Sequence, residues 1–86
     1  MSSEIAAMRR FIQESLGCTD EFADGQDLLD TGVLDSFNVV EMALFIQQEF
    51  GLELNADDIS RANFKSLTAM QALIGRARLT RQGQEV

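Results

Sequence analysis

Few side chains in this sequence are equipped for covalent chemistry. There is no His, and Cys18 is the one cysteine. Without His the chain lacks the commonest general base and the commonest zinc ligand. A lone cysteine makes no internal disulfide and no multi-cysteine metal site, so Cys18 reads as an ordinary thiol near a helix end, in keeping with a reducing compartment. The acidic stretch from Asp20 has Asp24 and Gly25 where a calcium loop wants them. It has Phe22 at the third position and Thr31 in place of Glu at the twelfth, which argues against an EF-hand. Paired carboxylates for hydrolysis need a cleft and separated proton affinities, and a chain this small rarely builds a deep pocket. That leaves Ser36, in "LLDTGVLDSFNVVEM", at the point where an acidic loop becomes an apolar helical pattern. A nucleophilic serine needs a base and an oxyanion site. With no His and no "GxSxG", Ser36 is not read as a hydrolase nucleophile.

Two uses of Ser36 remain. Either Asp35 or Ser36 caps the helix, and Ser36 does no more than that. Alternatively its hydroxyl is a point of attachment. A phosphate carried there meets unpaired backbone N–H groups and the positive end of the helix dipole, so the position is physically suited to a phosphodiester.

The elements that must position Ser36 are legible as helical periodicity. "SSEIAAMRRFIQESLG" repeats Ile5, Met8, Ile12 and Leu16 on one stripe, with Ser2 or Ser3 to cap it and Gly17 to end it. "CTDEFADGQDLLDTGVLD" is rich in turn residues. Its Phe22, Leu28, Leu29, Val33 and Leu34 are too apolar for a free linker and predict a loop packed on the core. "SFNVVEMALFIQQEF" predicts a second helix ended by Gly51, with Val39, Met42, Ala43, Ile46 and Phe50 inward. "ADDISRANF" predicts a short helical turn. "SLTAMQALIGRAR" predicts a last helix capped by Ser66, with Leu67, Met70, Leu73, Ile74 and Ala77 inward. Ile59 and Phe64 complete the expected core. The fold class is therefore all-α: a small bundle of three main helices plus a short one, with a long first connection. At 86 residues one domain spans 1–86, with its core at about 3–78 and a polar, frayed tail over 79–86.

Charge narrows the partners. The net charge is -7, and twelve of the 14 acidic residues lie between Glu14 and Asp58, where there is no Lys or Arg. Nucleic acid is disfavoured, because phosphate contact needs a basic face. An acidic middle either steers a basic protein partner or serves solubility alone. "MSSEIAAMRRFIQ" lacks the features of a signal peptide, and no run approaches the ~20 apolar residues of a membrane span. The expectation is a cytoplasmic monomer without membrane insertion.

The segment "LLDTGVLDSFNVVEMALFIQQEFGLEL" resembles the phosphopantetheine-attachment segment of acyl carrier proteins. Asp35-Ser36-Phe37 stands at the family's Asp-Ser-Leu/Met start of a helix, Glu41 follows, and Glu49-Phe50-Gly51 matches its "EEFG"-like end. The "LLDTG" loop, the short helix after "LEL" and the final helix keep the family order, over about residues 5 to 77. The resemblance implies that Ser36, flanked by Asp35 and Phe37, receives 4'-phosphopantetheine from coenzyme A through a Mg-dependent phosphopantetheinyl transferase. The arm's thiol then carries an acyl or aminoacyl thioester. On this reading the chain is not an enzyme and has no catalytic or metal-ligating residues of its own. It presents a tethered substrate to an acyl- or aminoacyl-loading ligase and to downstream tailoring or condensing enzymes. The same resemblance makes Phe37, Val40, Glu41, Leu44, Gln47 and Gln48 the surface that partners read.

The departures point to a pathway class. Fatty-acid-synthesis carriers usually have an acidic pair where this chain has Gln47 and Gln48, and Asp where it has Asn38. "GVLDSF" is more like free-standing carriers of specialised pathways, or like D-alanyl carriers of cell-wall synthesis, whereas peptidyl carriers of synthetase assembly lines usually have Gly-Gly-His/Asp-Ser there, which this chain lacks; the expected pathway class is polyketide or nonribosomal peptide biosynthesis. The alternative function class is an unmodified helical interaction module in which Ser36 is only a cap.

Overall fold

The computed structural model describes residues 3–18 and 21–84. Four α-helices and one 3-10 turn follow one another: α1 (Ser3–Glu14), α2 (Ser36–Phe50), the 3-10 turn (Ala56–Asp58), α3 (Arg61–Phe64) and α4 (Leu67–Gln84). Among the described residues there is no strand. The all-α architecture is the expected one, with α1 packed on α2 and α4, and α3 on α4.

The helical stripes meet in one core. Met8 and Ile12 of α1, Met42, Ala43 and Ile46 of α2, Phe64 of α3, and Leu67, Met70, Leu73 and Ile74 of α4 are all buried. Each set recurs at three- and four-residue spacing, which turns one face of each helix inward. Ile5, Leu16, Val39, Phe50 and Ala77 are half-buried at the edges of that core. Phe45 fills one margin, its ring stacked on Phe11 at 4.3 Å between centroids and edge-on to Phe50 at 6.2 Å. Among the described residues no helix is long and apolar enough to cross a membrane.

The first connection is a fastened loop. Phe22, Leu28 and Leu34 are buried, with Leu29 and Val33 packed beside them. Its backbone is tied to the end of α3, where the Leu28 N–H donates to the Lys65 carbonyl, and to the start of α4, where the Thr68 N–H donates to the Asp24 carbonyl. From α1, Arg9 donates to the Phe22 carbonyl and pairs with the Asp24 carboxylate, its guanidinium 4.8 Å from the Phe22 ring centroid. Within the loop, Asp27 Oδ1 accepts from the N–H groups of Leu29 and Asp30, and the Asp27 carbonyl accepts from Thr31. Asp20, where the calcium-loop pattern starts, lies outside the described residues, as does Ser2.

Three expectations need correction. The run 56–64 is not one helical turn. Asp58 Oδ2 accepts from the Asn55 N–H and Ser60 Oγ from the Asn63 N–H, with Ser60 extended at φ -131° and ψ 161°. These short polar side chains bond the backbone locally and split the run in two. The split leaves Ile59 outside the core at 38 % exposure. Lastly, α4 continues helical to Gln84, past the expected end at Arg78. Ser66 caps α4 as its sequence position suggests, Oγ accepting from the Ala69 N–H at 3.0 Å.

Candidate functional site

Everything around Ser36 is set by what precedes it. Gly32, at φ +84°, turns the chain out of the loop, a conformation that glycine adopts at no steric cost. Leu34 then enters the core, and its N–H donates to the Leu28 carbonyl at 2.9 Å. Asp35 follows in extended geometry, φ -120° and ψ -176°, and the helix starts at the next residue.

The cap is Asp35, so the reading of Ser36 as the capping residue is corrected. Asp35 Oδ1 accepts from the Asn38 N–H at 2.8 Å, and Asn38 Oδ1 accepts in return from the Asp35 N–H at 3.1 Å. This reciprocal box engages two backbone donors. Ser36 occupies the first helical position, where a short side chain emerges beside the cap. It is exposed, and its hydroxyl forms no hydrogen bond among the described residues. The N–H groups of Ser36 and Phe37 also have no partner there. A free hydroxyl and two free N–H donors at the positive end of a 15-residue helix suit an attached, doubly ester-linked phosphate. The sequence left Asp35 and Ser36 as rival caps because both residue types cap well. The extended backbone at Asp35 decides between them.

The surface running from Ser36 along α2 is apolar. Phe37 is 70 % exposed, Val40 50 % and Leu44 52 %, and their spacing places them on one side of the helix. Gln48 is exposed beyond them. Glu41 is half-buried, its Oε1 accepting from Asn38 Nδ2 at 3.0 Å. Gln47 departs from its expected place. It is half-buried, and its Oε1 accepts from the Leu54 N–H at 3.0 Å, so its side chain fastens the chain that follows Gly51. The structure thus brings Phe37, Val40, Leu44 and Gln48 together on an open face, puts Glu41 at its edge and turns Gln47 inward. Asn38 was noted in the sequence only as a departure; its place three residues after Asp35 was the available signal for its capping role.

Among the described residues no group of three or more Cys, Asp or Glu side chains is placed to hold a metal ion. Cys18 is half-buried against the core, its N–H donating to the Ile12 carbonyl after the turn at Gly17.

A family model described as "Phosphopantetheine attachment site" matches residues 6–73. That span takes in α2 whole, the fastened loop before it, α1 but for its first three residues, and α4 only as far as Leu73. No curated protein and no solved structure matches the chain.

Proposed function

Because the chain belongs to the phosphopantetheine attachment-site family, whose members carry 4'-phosphopantetheine covalently, we propose that the Ser36 hydroxyl is the attachment point and that the protein is a carrier of acyl or aminoacyl groups in a specialised biosynthetic pathway. The observation that supports this most is the free, exposed Ser36 hydroxyl beside a cap supplied wholly by Asp35 and Asn38. A serine whose oxygen capped the helix would have to give up that bond to be modified. Here modification breaks no hydrogen bond of the Ser36 side chain among the described residues.

In the transfer, Ser36 Oγ attacks the phosphorus of coenzyme A that bears the pantetheine. The new Ser–O–P bond forms as the bond to the departing adenosine bisphosphate breaks, and the serine proton passes to a base. On this reading the transferase supplies that base and the Mg ion. The arm supplies a terminal thiol on which an acyl or aminoacyl group is held as a thioester. The protein's own part is to hold the arm's root rigid at the end of α2 and to present the Phe37, Val40 and Leu44 stripe to each partner in turn. Those partners are the transferase, a loading ligase, and tailoring or condensing enzymes. A specialised pathway is favoured over fatty acid synthesis by Gln47, Gln48 and Asn38, which make α2 less acidic. The "GVLDSF" loop favours it too, and keeps a D-alanyl carrier as the nearest variant of the same reading.

Intact-mass analysis after incubation with coenzyme A and a broad-specificity transferase tests the proposal. The chain is expected to gain one phosphopantetheine, and Ser36→Ala to gain none while keeping its helical circular dichroism. A folded Ser36→Ala variant that still accepts the arm would overturn it.

A further inference from the structure

The cations of this acidic chain fall into two groups. Arg9 pairs with Asp24, Arg10 with Glu14 and Arg78 with Glu4. Arg61, Lys65 and Arg76 are exposed and stand within ion-pair distance of no carboxylate among the described residues. Acidic residues outnumber basic ones by 14 to 7, so carboxylates are not scarce, yet these three charges meet none. All three belong to α3, its C-cap or the helix packed against it.

Local geometry gathers them around α3. Phe64 turns inward and is fully buried. Arg61 and Lys65, four residues apart, share one flank of that turn. Arg76 reaches the other flank from α4, where its Nη2 donates to Asn63 Oδ1 at 2.8 Å. Asn63 is itself fixed, its Nδ2 donating to the Asp58 carbonyl at 2.9 Å and its N–H to Ser60 Oγ at 3.3 Å. Between the flanks Ala62 is exposed, and Ile59, 38 % exposed, lies two residues before the helix. A neutral amide thus holds the Arg76 guanidinium in place without neutralising it. A guanidinium has five N–H donors, more than one amide oxygen can use. A planar fork held still is suited to a carboxylate, which it binds through two parallel bonds.

We infer that α3 and its flanking cations form a second docking surface, which receives an acidic segment of a partner protein: carboxylates meet Arg61, Lys65 and Arg76, and an apolar side chain rests on Ala62 and Ile59. The inference rests on the carrier reading only in making that partner a biosynthetic enzyme. The surface is opposite in sign to the acidic stretch between Glu14 and Asp58, so the two select different features of a partner. The net charge of -7 does not forbid the contact, because charges beyond about 8 Å are screened at physiological ionic strength. Exposed ion pairs add little affinity each, and their chief effect is to fix orientation. Nucleic acid fits less well. Three cations are short of the basic stripe it takes, and Ala62 and Ile59 offer nothing to a phosphate.

The test titrates the full, isotope-labelled chain with a synthetic peptide of repeating Glu-Glu-Leu and follows backbone amide shifts. Shifts are expected at Ile59, Arg61, Ala62, Lys65 and Arg76, and should weaken as salt is raised. Arg61→Gln with Lys65→Gln should weaken binding on the order of tenfold, since each exposed pair is worth a few-fold. Arg10→Gln removes a cation already paired with Glu14 and should change nothing. The altered side chains are exposed, and the Lys65 carbonyl keeps its bond to the Leu28 N–H in any variant. The fold is therefore expected to survive, and unchanged shifts at Phe64 and Met70 check that. An equal response to repeating Gln-Gln-Leu would overturn the inference, as would equal shifts around Arg9, Arg10 and Arg78, or binding indifferent to Arg61 and Lys65. So would an oligothymidylate that binds more tightly than the peptide at the same salt, which would mark a nucleic-acid surface. Self-association in sedimentation that the same substitutions abolish would make the occupant a second copy and overturn it too. The peptide is titrated onto the unmodified chain, so a chain that gains no mass at Ser36 overturns the carrier reading and leaves the titration standing.

Discussion

At the scale of single residues, exposure separates the side chains of α2 by role. Phe37 and Leu44 leave most or half of their surface in water. Exposed apolar anchors that become buried in a complex contribute more than rim charges, which are worth roughly 0–1 kcal/mol each. Leu44→Asp and Phe37→Asp should therefore slow loading by the cognate ligase more than Glu41→Gln does, with little change in melting temperature because neither residue is in the core. Loading rates compared at equal protein concentration decide this, and equal effects of all three would remove the apolar stripe as the docking face. A second residue-scale expectation concerns Gly51. It ends α2 at φ +64°, with its N–H on the Gln47 carbonyl, and a Cβ there would meet nothing within 4 Å. Gly51→Ala should then cost only the backbone strain of a left-handed alanine, about 1–2 kcal/mol. Gly51→Asn should cost less, since Asn tolerates that region. Thermal melts of the two variants give the order.

Among the elements, the loop before α2 is the one with most to lose from a single change. Arg9 joins it to α1 through the Phe22 carbonyl, the Asp24 carboxylate and the Phe22 ring. The Arg9 side chain is mostly sheltered, while Asp24 is half in water, so the ion pair is partly screened and the bond to the carbonyl matters more. Arg9→Ala should destabilise the chain by about 1–2 kcal/mol and act on the loop first. Amide exchange at Leu28 and Leu34, both hydrogen-bonded in the loop, should quicken more than exchange at Ile46 in mid-α2. Because Leu34 directly precedes the cap, the same variant should also load more slowly at Ser36.

For the whole molecule, the question is where a carried group resides. Met8, Ile12, Met42, Ile46, Phe64, Met70 and Ile74 are all fully buried in one cluster drawn from four helices. Close-packed interiors resist opening, although three of these side chains are adaptable methionines. A small acyl or aminoacyl group held outside on its arm is the expected arrangement. Chemical shifts of loaded and unloaded protein should then differ near Ser36 and along α2. Shifts at Ile46, Phe50 and Met70 that grow with acyl length would show instead that the core opens to receive the chain. The same cluster makes stability cooperative. Phe64→Ala, costing about 3–5 kcal/mol, removes much of the roughly 5–10 kcal/mol expected of a domain this size, and urea titration should show its midpoint falling accordingly.

What the sequence determined by itself was whatever depends on neighbours a few residues away. The 3.6-residue repeat of Met8 and Ile12, of Met42 and Ile46, and of Met70 and Ile74 specifies amphipathic helices, and the faces it marked are the buried ones. The apolar loop residues Phe22, Leu28 and Leu34 announced that the first connection is packed. The absence of His and the placement of Ser36 at a loop-to-helix junction narrowed the chemistry before any fold was known. Tertiary structure decided the rest. Gln47 could be seen as an open-face residue until Gly51 reverses the chain and brings the Leu54 N–H onto its side chain. Ile59 has the hydrophobicity of a core residue. Its exposure follows from local bonds of Asn55, Asp58, Ser60 and Asn63 that break one short helix into two pieces. Leu52 is buried although it follows the end of α2 and belongs to no helical stripe. Asp35 and Ser36 are chemically equal candidates for a cap, and only the path from Gly32 through the buried Leu34 sets the extended backbone that gives the cap to Asp35 and leaves the Ser36 hydroxyl free. Periodicity reports which face of an element is apolar; which side chain meets which backbone group depends on where the chain returns, and distant contacts set that.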